Sequence, residues 1–206
     1  MTGTSDGTWG TPVAPYSGGT DAFLAKFHDG MVLTFMGSPG NDRANGIVIT
    51  ESRNIIVVGD SHSGWGPSVD SYAGGTDAFV ATFNQQLALL LNTFLGSAGN
   101  DHANGIVRTE IGESEQFIVA GDSSAVWGSP VDPYMGGTDG FIAHLTGGLA
   151  LLRNTFLGSA GEDWISSIVV DSFIGNEVVA GSSGAAWGSP ILPHAGGMDG
   201  FVALRR

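Results

Sequence analysis

Bulky apolar residues alternate with small or polar ones at 22–27 (AFLAKF), 78–83 (AFVATF), 140–145 (GFIAHL) and 200–205 (GFVALR). A two-residue period of this kind predicts half-buried β-strands. The segments VLTFMG, LLLNTFLG and LLRNTFLG follow the first three of these and predict a second set of strands, although 145–153 alone also fits a helical turn or two. GNDRANGIVIT, GNDHANGIVRT and GEDWISSIVVD each read as a Gly/Asp turn running into a β-branched strand. The third copy lacks Ala-Asn-Gly, as expected if that stretch is a loop that has drifted. NIIVVGDS, QFIVAGDS and NEVVAGSS close the rounds as short apolar runs, the pattern of strands buried on both faces.

A connector recurs between the rounds. WGTPVAPYSGGTDAF begins at Trp9, WGPSVDSYAGGTDAF at Trp65, WGSPVDPYMGGTDGF at Trp127 and WGSPILPHAGGMDGF at Trp187. The interval of roughly 60 residues exceeds that of most helical repeats and suits a four-stranded unit. In each copy a Gly-Gly pair precedes the Asp that opens a strand, supplying positive φ for a tight turn, and the carboxylate is placed to accept backbone N–H bonds. Residues 3–9 align with 59–65, 121–127 and 181–187, so the chain starts within a unit. The length of the repeat varies at the hairpins around Asp29, Gln85 and Gly112, where insertions are tolerated. The reading is one repeat domain over 1–206, with a partial unit at 1–37, units at about 38–96 and 97–158, and a partial unit at 159–206.

Composition narrows the classes of function. The chain has 34 Gly at fixed repeat positions and an apolar fraction of 42%, which fits ordered turns better than disorder. Its formal charge of −13 opposes nucleic acid and anionic membranes. Without Cys there is neither a disulfide framework nor a thiolate metal site. No apolar run is long enough to insert in a membrane as a helix, and Met1-Thr2-Gly3-Thr4 has no signal-peptide character, so an exported form would be the mature one.

Four short strands per unit with Gly-rich turns is the pattern of a propeller blade. GGTDAFVATF, LNTFLGSAGNDHANGIV and FIVAGDSS, in order and at near-constant spacing over nearly the whole chain, resemble the bacterial SBBP repeats, known as β-propeller repeats. The resemblance implies a blade with the Asn-Gly-Ile-Val strand innermost, then the Val-Val-Ala-Gly strand, then the Asp-x-Phe strand, with Thr-Phe-Leu-Gly outermost. It also implies a secreted or cell-surface protein of a bacterium or archaeon, often one without an assigned activity. The regular Trp-Gly-x-Pro connector and the small number of repeats depart from that family.

The fold expected is therefore all-β, of propeller-type four-stranded antiparallel blades. Counted in that order, the inner strand occurs three times (Ile47, Ile106, Ile168), the second three times (Val57, Val119, Val179), the third four times (Phe23, Phe79, Phe141, Phe201) and the outer three times (Phe35, Phe94, Phe156). A closed propeller takes at least about four blades, so the chain is expected to be incomplete alone. An N-terminal third-outer pair (21–37) and a C-terminal inner-second-third set (165–206) are complementary, and strand sharing between subunits would give a ring or a filament. Phe23, Phe27, Phe35, Phe201, Val202 and Leu204 are the interface candidates. A fragment of a longer propeller is the competing explanation. Apolar Leu87, Leu89, Leu90 and Leu91, nearly repeated at Leu149, Leu151 and Leu152, suggest either a covered outer edge or a strand twisted down onto its own blade.

Candidate chemistry is sparse. Trp9, Trp65, Trp127 and Trp187 with Tyr16, Tyr72 and Tyr134 either form stacking platforms for glycans or plug the gaps between blades, the second being preferred. Asp42, Asp101 and Asp163 are weak Ca²⁺ candidates, since Ca²⁺ takes about six or more oxygens and no EF-hand spacing is present; together with Asp21, Asp77, Asp139 and Asp199 they suit turn capping. His28, His62, His102, His144 and His194 share no repeat position, which disfavours zinc. Ser61 and Ser123 are expected in turns, without a nucleophile elbow or a regularly placed His. The expected function is a non-enzymatic extracellular structural protein whose partner is itself. The alternative is a carbohydrate-binding surface adhesin.

Overall fold

The computed structural model describes residues 1–27, 30–111, 114–171 and 175–205. His28, Asp29 and Gly112 lie outside these residues. The described residues form fourteen strands and no helix, and thus none long and apolar enough to cross a membrane. In chain order the strands build four antiparallel sheets. The first holds β1 (Thr2–Ser5), β2 (Asp21–Phe27) and β3 (Met31–Met36). The second holds β4 (Asp42–Ile49), β5 (Ile55–Ser61), β6 (Asp77–Phe83) and β7 (Leu89–Leu95). The third holds β8 (Asp101–Ile111), β9 (Ser114–Ser123), β10 (Asp139–Thr146) and β11 (Leu151–Leu157), and the fourth β12 (Asp163–Val170), β13 (Glu177–Ser183) and β14 (Asp199–Arg205). Strand order follows the chain in every sheet.

The first sheet differs from the expected pair of strands. Thr2–Ser5 is a fourth copy of the second strand, pairing with β2 from Thr2↔Leu24 to Ser5↔Asp21, while Ala25 N donates to Met1 O at 2.8 Å. Gly3 faces Phe23 as Gly59 faces Phe79 and Gly121 faces Phe141. The segment TGTS has no apolar residue to mark it as a strand, and its pairing with β2, joined by the Thr2 hydroxyl donating to Phe23 O at 2.6 Å, places it.

Ala-Asn-Gly is likewise no loop. It lies inside β4 and β8, where the register with the second strand shifts between Ala44 and Gly46 and between Ala103 and Gly105. The third copy keeps the same bulge between Ile165 and Ser167, so the distortion survives the loss of the motif. The bulge dictates the facing residue. A Cβ on Gly59, Gly121 or Gly181 would lie 1.8, 1.7 or 1.9 Å from the carbonyl oxygen of Arg43, His102 or Trp164, so any side chain there collides with backbone.

Consecutive sheets pack face to face. Ile56, Val58, Ala78, Val80 and Leu95 of the second meet Ile106, Phe117, Val119, Phe141 and Phe156 of the third in one buried cluster. The same positions recur between the first and second sheets and between the third and fourth. Each buried Val, Leu, Ile or Phe contributes roughly 1.5–3 kcal/mol, and these seams hold the array together. Leu87 and Leu149 precede β7 and β11 in turns with φ of 60° and 65°, and both are fully buried. The left-handed backbone costs about 1–2 kcal/mol, which burial of a Leu side chain offsets. The two leucines are core plugs rather than edge residues. Leu90 and Leu152 remain half exposed.

Candidate functional site

The chemistry of the repeat concentrates at the seam between one sheet and the next. The Gly-Gly-Thr-Asp turn ahead of each third strand is stitched to the Gly-x-Asp turn ahead of the next inner strand by parallel bridges, Thr20↔Asn41, Thr76↔Asn100 and Thr138↔Glu162. Asp101 N donates to Thr76 O and Asp163 N to Thr138 O, both at 2.6 Å. Both glycines of each pair have positive φ, as their position before the Asp requires. The stitch places two carboxylates together at every seam: Asp21 with Asp42, Asp77 with Asp101, and Asp139 with Asp163. All six are fully buried. A Cβ on Gly158 would be 2.8 Å from both Asp139 Oδ1 and Asp163 Oδ2, so only a bare backbone fits between them.

The two members of a pair are held differently. Asp42 and Asp101 accept from a Ser backbone N–H and hydroxyl (Ser38, Ser97), and from the Ser61 and Ser123 hydroxyls at the ends of β5 and β9. Those two serines are thus strand-end ligands of a carboxylate, not turn residues. Asp21, Asp77 and Asp139 each accept one backbone N–H through Oδ2, and their Oδ1 atoms have no hydrogen-bond partner. Burial, opposed by the Ala73 or Met135 backbone bond and reinforced by the neighbouring carboxylate, pushes Asp77 and Asp139 up to about 6. Burial also raises Asp21, Asp42 and Asp101. Each seam offers two carboxylates, and among the described residues no three His, Asp or Glu side chains gather as metal ligands.

A second polar layer joins β4 to β8 and β8 to β12. Asn45 Nδ2 donates to Ala103 O of the next sheet at 3.0 Å and to Asp60 at 3.2 Å; Asn104 does the same to Ile165 O at 2.9 Å and Asp122 at 2.8 Å. His102 lies 3.5 Å from Asp60, and the hydrogen bond to that carboxylate raises the imidazole's pKa against the effect of burial. The other described histidines are scattered. His144 contacts Glu177 at 2.7 Å, and His194 lies 3.7 Å from Asp199. Burial pushes Glu177 up, but the hydrogen bond and charge of His144, with Arg205 and Arg153, hold it below the usual carboxylate range.

The aromatic connectors are built onto their own sheets. Trp65 meets Phe79 and Phe94 edge to face at 5.2 and 6.0 Å, and Trp127 meets Phe141 and Phe156 at 5.2 and 6.1 Å. Trp9 does the same with Phe23 and Phe35. Trp127 is buried, while Trp9, Trp65 and Trp187 are half-buried. Tyr72 and Tyr134 donate to Gly75 O and Gly137 O, both at 2.6 Å, and Tyr16 donates to Gly19 O. The aromatic set thereby ties each connector to the turn that starts the seam.

Of the interface candidates, Phe27, Val202 and Leu204 are exposed at 61%, 76% and 56%, whereas Phe35 is buried and Phe23 and Phe201 are half-buried. Val80 and Ile142, the counterparts of Val202, are fully buried. The exposure arises because, among the described residues, no sheet covers the outward face of the fourth. Sequence reasoning missed the pairing of each third-strand Asp with the next inner-strand Asp. The near-constant interval between them was the available signal, but only the stacking of sheets turns interval into contact.

No protein-family model matches the chain, and no curated protein matches it.

Proposed function

We propose that this chain is a non-enzymatic structural protein of the cell exterior, whose subunits associate by completing one another's propeller-type blades into a ring or a filament. The observation that carries the reading is the complementary deficit of the two end sheets. Among the described residues, β1-β2-β3 and β12-β13-β14 hold three strands each, while both interior sheets hold four. A sheet merged from both ends takes its inner strand from one chain and its outer strand from another, leaving second and third strands over. The propeller reading is supported by sheets stacked in chain order with β4 against β8 and β8 against β12. The likeness to SBBP repeats, proposed here as kinship, supports the exterior location. Repeated seams, connectors and bulges are what a scaffold needs; a reacting centre would be expected once.

Multi-angle light scattering of the purified chain over a wide concentration range, with negative-stain imaging, tests the reading. Discrete closed oligomers mean a ring and long fibres mean a filament. A folded chain that stays monomeric at every concentration refutes self-assembly. Glycan binding lost in Trp65→Ala, a half-buried connector ring, without unfolding would instead favour the adhesin.

A further inference from the structure

The chain contains two Asn-Gly steps, Asn45-Gly46 and Asn104-Gly105, and the fold puts both at the same place in the repeat. The register of β4 with β5 passes from Ala44↔Gly59 to Gly46↔Val58, and that of β8 with β9 from Ala103↔Gly121 to Gly105↔Ala120. Each Asn is therefore the unpaired residue of its bulge. Freed from the ladder, its side chain turns toward the next sheet. Each amide nitrogen donates both to a main-chain carbonyl of the following sheet and to a carboxylate of its own sheet: Ala103 O and Asp60 for Asn45, Ile165 O and Asp122 for Asn104.

The residues that tie one sheet to the next are thus the ones most open to self-modification. In an Asn-Gly step the glycine nitrogen can close a five-membered ring on the side-chain carbonyl carbon, and the missing Cβ leaves the glycine backbone free to reach it. Attack of Gly46 or Gly105 N on the preceding Asn Cγ forms an N–Cγ bond, and Nδ2 leaves as ammonia, giving a cyclic imide. Water then opens the ring at either carbonyl and returns the glycine N–H. The product is aspartate, or isoaspartate with the chain rerouted through Cγ. One water is consumed, one ammonia is released, and nothing is oxidised or reduced. Neither product can hold the seam. A carboxylate has no N–H to donate, so the Ala103 or Ile165 carbonyl loses its donor, and the new charge stands beside Asp60 or Asp122, both buried.

We propose that Asn45-Gly46 and Asn104-Gly105 are self-modification sites whose deamidation uncouples consecutive sheets. The closed seam holds each amide on two acceptors and keeps it from the glycine nitrogen, so the reaction proceeds when the seam opens and then fixes it open. Asn45 is exposed and Asn104 half-buried, so Asn45 converts first. The bulge of β12 carries Ser166-Ser167 at this place and has no amide to lose. The apolar clusters between the sheets remain, so conversion loosens the array without unfolding it.

The full-length chain is aged in mildly alkaline buffer, folded and in urea, and conversion is followed by peptide mapping with mass spectrometry; hydrogen exchange then compares aged and fresh chains. In the folded chain conversion is expected at Asn45 first and Asn104 second, with Asn104 at least about tenfold slower than in urea. Once Asn104 has converted, backbone exchange in β8 and β12 is expected to quicken about tenfold. Gly105→Ala hinders the attack and has room for its methyl, which would lie 3.4 Å from Ile168; after the same ageing it is expected to keep native exchange. Asn104→Ser, with the residue that β12 has at this place, loses the amide without gaining charge and is expected to fall between the fresh and aged chains, and it serves where Gly105→Ala fails to fold. Conversion of Asn45 and Asn104 no faster than that of Asn54 and Asn84 overturns the sites. Equal rates for Asn104 in the fold and in urea overturn the protection by the seam, and conversion with unchanged exchange in β8 and β12 overturns the uncoupling.

Discussion

Asp77→Asn is expected to stabilise the protein at neutral pH, and the size of the effect follows from the seam. Asp77 is fully buried with an orphaned Oδ1, and its pKa stands at about 6 against an ordinary 3.8. A raised carboxylate pKa means the folded state holds the proton more tightly than the unfolded chain. Stability from this site is thus fully present below the unfolded value near 3.8 and is lost as pH rises through the folded value near 6. At roughly 1.4 kcal/mol per pH unit the loss at pH 7 is about 3 kcal/mol, and at pH 4 it is only a small fraction of that. Asn keeps the shape, retains an oxygen for the Ala73 N–H at 2.5 Å, and replaces the charge with an amide. For a chain of this size about 3 kcal/mol corresponds to roughly 6–12 °C in Tm. The assay is thermal unfolding by circular dichroism from pH 4 to pH 8 for the unmodified chain, Asp77→Asn, Asp139→Asn and the double variant. The unmodified chain should lose stability from pH 5 to pH 7, and each variant should flatten the loss. His102 acts in the same direction from about pH 6.5 upward because its pKa is raised, whereas the stability from Glu177, held low, is fully present above about pH 4.5 and is lost only as pH falls below it. A variant less stable than the unmodified chain at pH 7, or an unmodified chain whose Tm climbs steadily from pH 5 to pH 7, would refute the reasoning.

Three further expectations concern packing. Trp127→Ala removes a buried ring from two edge-to-face contacts and is expected to cost about 3–5 kcal/mol, measured by urea denaturation; a loss under about 1 kcal/mol would take the connector out of the core. Trp187→Ala, with one ring partner, is expected to cost less. Gly121→Ala drives a methyl to 1.7 Å from the His102 carbonyl oxygen and is expected to abolish folding of the third sheet, read by circular dichroism and limited proteolysis. A native spectrum for that variant would mean the bulge in β8 is misplaced.

The sequence by itself determined the elements that depend on local chemistry. Alternating apolar residues marked β2, β6, β10 and β14, continuous β-branched runs marked β5 and β9, and Gly-Gly-x-Asp marked the turns, because strand exposure and positive φ are set within a few residues. Their adjacency within each sheet follows the order of the segments along the chain. The pattern failed where pairing is decided without apolar side chains. Thr2–Ser5 carries no apolar signal, and Ala-Asn-Gly resembles a loop because a bulge needs the same small residues as a turn. The aromatic connectors and paired aspartates were visible as residues but not as contacts. Which Phe meets each Trp, and which Asp meets which, depends on sheets stacking in register, and that register is settled by burial summed over whole faces. Stacking also decides that Val80 is buried while its repeat counterpart Val202 lies open: the residues are alike, and only a neighbouring sheet makes one of them core.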